Sequence, residues 1–349
     1  MIELLGVSLD DIRALMVTNG FPAFRGKQIV DYIYKRHITT FADMTQLPKS
    51  LREWLLANCQ ISLPKVVVRQ VAPKGDTQKL LLELGDGSRI ETVLMDQDYG
   101  LSVCVSSQVG CAMGCVFCAS TTNGLLRNLT RAEIVGQVLL FSQLTGQHIH
   151  SIVMMGSGEP LKNYDEVVGA LRIFHEPAMF GIGYRRMTLS TCGIIDGIRR
   201  LADEDMPITL ALSLHAPNDV LRKQIMPIGS AYALKDIFDA LLYYYNKQQR
   251  RITFEYILIN HCNASLKEAH QLGQLVKVIP NCHINLIPIN GNEHIHMVKP
   301  SVAVMNQFKA IVESYGVPVT IRKEMGDAIK AACGQLKMQV GSHKESIEK

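Results

Sequence analysis

The chain has 349 residues, 47% hydrophobic and 19% charged, which excludes a disordered or fibrous protein and leaves room for two domains or one large domain with an extension. Its formal net charge of +4 admits an anionic partner such as RNA without requiring one. No apolar run approaches the roughly 18 residues of a membrane span, and the N-terminus lacks the basic start and cleavage site of a secretory signal. Nine cysteines without such a signal point to a reducing, cytoplasmic setting, where clustered thiols bind metal or react.

The first segment, residues 1–62, predicts a small helical module. Ser8 and Asp11 open a helix that runs through Met16, residues 28–36 carry apolar side chains at helical spacing, and Pro48 precedes a third helix over 49–57. Arg25, Lys27, Lys35, Arg36 and Arg52 make the module basic, which fits either a solvated face or an RNA contact. Residues 63–100 change character. Strand patterns at 66–69, 78–84 and 90–95, with a Gly85-Asp-Gly87 turn, read as a β-hairpin connector into the main body.

From residue 101 strands and helices alternate. Apolar strands are expected at 101–106, 151–156, 187–191, 208–214, 252–259 and 283–288. Helices are expected at 131–144, 165–174, 195–202, 234–246, 266–278 and 302–315, two of them opened by Thr130-x-x-Glu133 and Ser265-x-x-Glu268 capping boxes. Six βα repeats imply an α/β body over 101–323, with a parallel sheet either open or curled into a partial (βα)6 barrel. Residues 324–349 form a C-terminal segment with a polar, frayed tail. In such folds the site lies at the C-terminal ends of the strands.

Directly after the first of these strands comes Cys111-Ala-Met-Gly-Cys115-Val-Phe-Cys118. Three thiolates at this spacing converge within one loop and leave one coordination position for something other than protein. A structural zinc site is the competing explanation. It needs a fourth ligand, and Cys104, seven residues upstream, is a candidate. Other strand ends carry polar groups: Gly156-Ser-Gly-Glu-Pro160 with Gly158 and Glu159, then Ser190, Ser213-Leu214-His215 and Asn290. Each alone fits a satisfied loop residue, but together with the cysteine loop on one rim they suit a nucleoside-sized ligand.

The Cys-x3-Cys-x2-Cys loop with Phe117 before its last cysteine, followed by Gly158-Glu159-Pro160, resembles the radical S-adenosylmethionine superfamily. The match narrows through Cys104-Val-Ser-Ser-Gln-Val-Gly-Cys111, Met154 to Leu161, Ser213 to Asp219, Ile284 to Asn290 and Ala331-Ala-Cys-Gly-Gln-Leu336. These segments, with Phe24 to Gln28 and Leu47-Pro-Lys49 near the N-terminus, resemble the RlmN-type RNA adenine-C2 methyltransferases over most of the chain. The chain departs from that pattern at Ala328, in the 291–297 stretch, after Ile259 and at Ser157.

The resemblance implies a radical-SAM partial barrel with an N-terminal RNA-binding appendage. It implies a [4Fe-4S] cluster on Cys111, Cys115 and Cys118. S-adenosylmethionine would be bound by Gly158, Glu159, Ser190, Ser213, Leu214, His215 and Asn290. The implied substrates are an adenine of 23S rRNA near the peptidyl transferase centre, before full ribosome assembly, and the adenine beside the tRNA anticodon. Carbon 2 of adenine has no nucleophilic lone pair, so a carbon radical is the suitable reagent. By the same resemblance Cys333 takes a methyl group from one S-adenosylmethionine, and a second molecule provides the radical that activates it. Glu91 removes the ring proton, and Cys104 attacks the Cys333 sulfur to release product through a transient disulfide. A flavodoxin-type electron donor and a monomeric state are also implied. The rivals are a Cfr-type sister group that methylates carbon 8 of the same rRNA adenine and, more remotely, a zinc-stabilised RNA-binding protein. Radical sulfur insertion would require three further spaced cysteines, which the sequence lacks.

Overall fold

A computed structural model describes residues 1–289, 297–322 and 329. Three helices, α1 (Leu9–Thr18), α2 (Phe24–Tyr34) and α3 (Lys49–Asn58), build the N-terminal module. Ser8 caps α1 by accepting from the Asp11 N–H at 3.1 Å. A short parallel pairing of Ile2–Glu3 with Cys59–Gln60 ties the two ends of the module together.

Ten further strands form one sheet in sequential order: β1 (Lys65–Val71), β2 (Thr77–Glu83), β3 (Arg89–Gln97), β4 (Gly100–Cys104), β5 (Ser151–Met154), β6 (Met187–Thr191), β7 (Thr209–Ser213), β8 (Ile252–Leu258), β9 (Cys282–Pro288) and β10 (Val319–Ile321). From β1 to β4 the neighbours are antiparallel, and from β4 to β10 they are parallel. Helices α4 (Arg131–Thr145), α5 (Tyr164–His175), α6 (Ile195–Ala202), α7 (Asp219–Ile225), α8 (Leu234–Gln248), α9 (Leu266–Val276) and α10 (Val302–Glu313) fill the connections. Thr130 and Glu133 start α4 with a reciprocal capping box: the Glu133 N–H donates to Thr130 Oγ1 at 3.2 Å, and the Thr130 N–H to Glu133 Oε2 at 2.8 Å.

Two features differ from the sequence reading. The strands at 65–97 extend the main sheet, β3 pairing with β4, β2 with β3 and β1 with β2. A seventh parallel strand, β10, adds to β9; three residues are too few to show a period.

Residues opposite one another in register share a face of the sheet. Val103, Ile152, Leu189, Leu210, Leu212, Ile252, Phe254, Ile284 and Leu286 lie on one face and are completely buried. The opposite face carries Lys79, Glu91, Cys104, Thr188, Ser190, Ser213, Glu255 and Asn285. Parallel sheets covered on both sides are usually apolar on both. Here one face is core and the other is a polar interior, which positions the site.

Candidate active site

The cysteine loop leaves β4 through a short hairpin, Gln108–Gly110 paired with Leu125–Asn128. The loop is anchored by its backbone: the Cys111 N–H donates to the Gly124 carbonyl at 2.9 Å, the Val116 N–H to Ile225 at 3.1 Å, and the Cys118 N–H to Cys115 at 3.1 Å. Thr121 Oγ1 donates to the Cys115 and Cys118 carbonyls at 3.1 and 2.9 Å.

Cys111, Cys115 and Cys118 line one cavity of about 140 Å³ together with Gly158, Glu159, Ser190, Ser213 and His215. Eight residues singled out in the sequence, from 111 to 215, therefore meet in one space. Leu214 is buried and does not line it; its N–H donates to the Glu255 carbonyl at 3.0 Å. Asn290 and Cys333 lie outside the described residues. Glu91 and Cys104 also stand apart from the cavity lining, on β3 and β4. They share the interior face, because Val93 pairs with Cys104 and Glu91 is two residues from Val93.

The Gly-Ser-Gly-Glu loop is held tightly against the chain end of β4. Gly158 has φ +105°, and a Cβ there would stand 2.6 Å from Gln108 Cβ. Gln108 Oε1 accepts from the Glu159 N–H at 2.8 Å. Glu159 is buried, and its carboxylate accepts from the Leu161 N–H at 3.1 Å and the Cys192 N–H at 2.7 Å. Burial pushes the Glu159 carboxyl up, and these hydrogen bonds oppose the shift.

His215 is in the left-handed region at φ +57°. Its Nδ1 accepts from the Ile257 N–H at 3.0 Å, which assigns the proton to Nε2. Burial, with help from Arg222, lowers its pKa to about 3, so the ring is neutral at physiological pH. Phe117 packs edge-to-face on it at 4.8 Å, and Ser190 Oγ lies 3.2 Å from Ser213 Oγ. The cavity thus offers neutral donors, hydroxyls and carboxylates around an aromatic edge.

The thiols themselves test whether an iron–sulfur cluster fits. Burial pushes Cys111 up to about 11. Cys115 is driven higher by burial first, then by the Cys118 and Cys111 thiols, with Arg222 opposing. Three thiolates crowded on one loop, Cys111 buried and Cys115 and Cys118 partly so, repel one another and need a cationic centre. Among the described residues no three His, Cys, Asp or Glu side chains converge as donors to a single ion. A [4Fe-4S] cluster takes its thiolates on separate irons, so three cysteines on one loop suit it without meeting at one point. Cys111, Cys115 and Cys118 fit that group.

Three residues passed over in the sequence take part. Arg222 of α7 is fully buried; its Nη2 donates to the Cys192 carbonyl at 2.5 Å, and it lies electrostatically beside Cys115. Lys79 Nζ is 3.0 Å from Glu91 Oε1. Glu255 of β8 lines the cavity and is taken up below. The available signal was a charged residue within an apolar strand, as in Ile-Thr-Phe-Glu255-Tyr-Ile-Leu.

Cysteine loop, Gly-Glu-Pro turn and polar strand ends on a parallel sheet define a radical S-adenosylmethionine enzyme, and residues 105–272 match the Radical SAM superfamily model. Residues 2–61 match the ribosomal RNA large subunit methyltransferase N-terminal domain. A "probable dual-specificity RNA methyltransferase RlmN" from Symbiobacterium thermophilum is 47% identical, covering 95% of this chain and 90% of its own length. A relative of the same description from Clostridium perfringens strain SM101 is 46% identical over 97% of both chains. The crystal structure of a radical SAM methyltransferase from Sphaerobacter thermophilus superposes with a TM-score of 0.92 at 39% identity, covering 96% of this chain and 99% of that one. The chain belongs to the RlmN family of radical S-adenosylmethionine methyltransferases.

Proposed function

We propose that this enzyme methylates carbon 2 of an adenine in 23S rRNA near the peptidyl transferase centre, and carbon 2 of the adenine beside the tRNA anticodon, using two S-adenosylmethionine molecules per turnover. The observation that carries this reading is the gathering of three thiols, Glu159, Ser190, Ser213 and His215 around one cavity in a chain related throughout to RNA methyltransferases. When bound, a [4Fe-4S] cluster on Cys111, Cys115 and Cys118 supplies the electron for reductive cleavage of S-adenosylmethionine.

The chain's own groups do the rest. Glu159 and Gly158 receive the amino-acid end of the cofactor, and Ser190, Ser213, His215, the Leu214 backbone and Asn290 receive the nucleoside end. Cys333 carries the methyl group, Glu91 takes the ring proton and Cys104 resolves the adduct. Glu91 and Cys104 sit on the interior face of the sheet, the side from which RNA would meet the activated methyl group. The electron donor is of flavodoxin type, and the enzyme acts as a cytoplasmic monomer.

The test is mass spectrometry of rRNA fragments and tRNA from a strain lacking its own adenine-C2 methyltransferase and expressing this chain. Appearance of 2-methyladenosine in both RNAs is expected. Finding 8-methyladenosine instead would assign the sister chemistry. The anaerobically purified protein should be brown with about four irons per chain, and one zinc per colourless chain would overturn the radical reading.

A further inference from the structure

Glu255 sits in the middle of β8, paired in register with Ser213 on β7 and Asn285 on β9. Its side chain is 4% exposed and lines the cavity that holds the cysteine loop. Asn285 Nδ2 donates to Oε1 at 2.9 Å. The other oxygen, Oε2, is buried and has no hydrogen-bond partner among the described residues. Burial pushes the Glu255 carboxyl up, and the Arg322 charge and the Asn285 hydrogen bond oppose that shift towards the carboxylate. A buried acceptor left unmade is costly, so a site that keeps one facing a cavity is matched to donors arriving from outside the protein.

We infer that Glu255 binds the ribose of S-adenosylmethionine, its free carboxylate oxygen accepting from the 2′,3′-diol. The inference rests on the cofactor reading above. The cysteine loop and Glu159 lie at the ends of β4 and β5, and Glu255 lies three strands beyond β5. At about 4.8 Å per strand this is about 14 Å, the reach of an extended amino acid joined to a nucleoside. With the amino-acid end at Glu159, the sugar falls over β7 and β8, between the Ser190–Ser213 hydroxyl pair and Glu255. Hydroxyl groups both donate and accept, whereas a carboxylate only accepts; a cis-diol therefore pairs directly with the carboxylate. Charge-assisted bonds of this kind are the strong ones.

The experiment uses the full-length, cluster-loaded protein under anaerobic conditions. Calorimetry would measure binding of 5′-deoxyadenosine, 2′,5′-dideoxyadenosine and 3′,5′-dideoxyadenosine to wild type, Glu255→Gln and Glu255→Asp. Loss of a hydrogen bond to a charged group predicts about tenfold or more weaker 5′-deoxyadenosine binding by Glu255→Gln. Removing a hydroxyl should cost wild type a similar factor and Glu255→Gln nothing further, the coupling signature of a direct contact. Glu255→Asp should fall between them. Equal affinity of wild type for all three nucleosides overturns the inference even if the variants fail to fold. So does a Glu255→Gln penalty that ignores the hydroxyls. Failure of wild type to bind any of the three overturns the cofactor reading itself.

Discussion

Lys79 Nζ lies 3.0 Å from Glu91 Oε1, and both side chains are more than nine-tenths buried. The pair bridges β2 and β3 on the interior face shared with Cys104. The cation compensates a carboxylate that the fold has taken out of water, and fixes its position on the face where the substrate base is expected.

Replacing only Lys79 removes the cation 3.0 Å from the buried Glu91 carboxylate. Lys79→Met should cost about 3–5 kcal/mol in urea unfolding. Lys79→Met combined with Glu91→Leu should recover most of that stability while RNA methylation stays abolished. Wild-type methylation by the double variant would remove Glu91 from the chemistry.

His215 gives stability a pH dependence. Its folded pKa of about 3 lies below the ordinary value of 6.5. Below 6.5 the unfolded chain takes a proton that the folded chain refuses. The contribution is therefore complete above that value and is lost as pH falls towards 3. Between pH 7 and 5 wild type should lose about 2 kcal/mol more than His215→Gln. Parallel urea titrations of the two proteins check it; identical pH slopes would contradict the assignment.

Cluster assembly should be alkaline-favoured. Binding iron requires thiolates, and burial holds Cys111 near 11. Iron loading of the metal-free chain should rise steadily from pH 7 to 9. Because Arg222 lowers Cys115, Arg222→Met should move the curve further to alkaline pH. Loading that ignores pH in both proteins would dismiss the electrostatic account.

Gly110 has φ +74°, and a Cβ there would stand 2.0 Å from the Gly124 carbonyl oxygen. That oxygen receives the Cys111 N–H. Gly110→Ala should therefore displace the first cysteine and lower iron content well below wild type. Circular dichroism should show the sheet and helices intact. Full iron loading would mean that the hairpin can shift without moving Cys111.

Much of the architecture was legible because it is local. The six strands at 101–288 declared themselves as apolar runs, and the helices starting after Thr130 and Ser265 as caps followed by helical periodicity. The helix α7 escaped notice, being seven residues long and lacking an apolar stripe of any length. The strands at 65–97 were visible as strands but not as part of the main sheet, since membership depends on pairing with β4.

By itself the sequence determined the chemistry at hand: a three-cysteine loop after a strand, a Gly-Glu-Pro turn, and small polar residues at strand ends. These are short-range patterns whose meaning survives without coordinates. Only the tertiary structure decided which polar residues face one another. Register places Glu255 beside Ser213 and Asn285, and brings Lys79 onto Glu91, across strands far apart or merely adjacent in the chain. A one-residue slip would send each of these side chains to the apolar face, and nothing in a single strand's sequence states its partner.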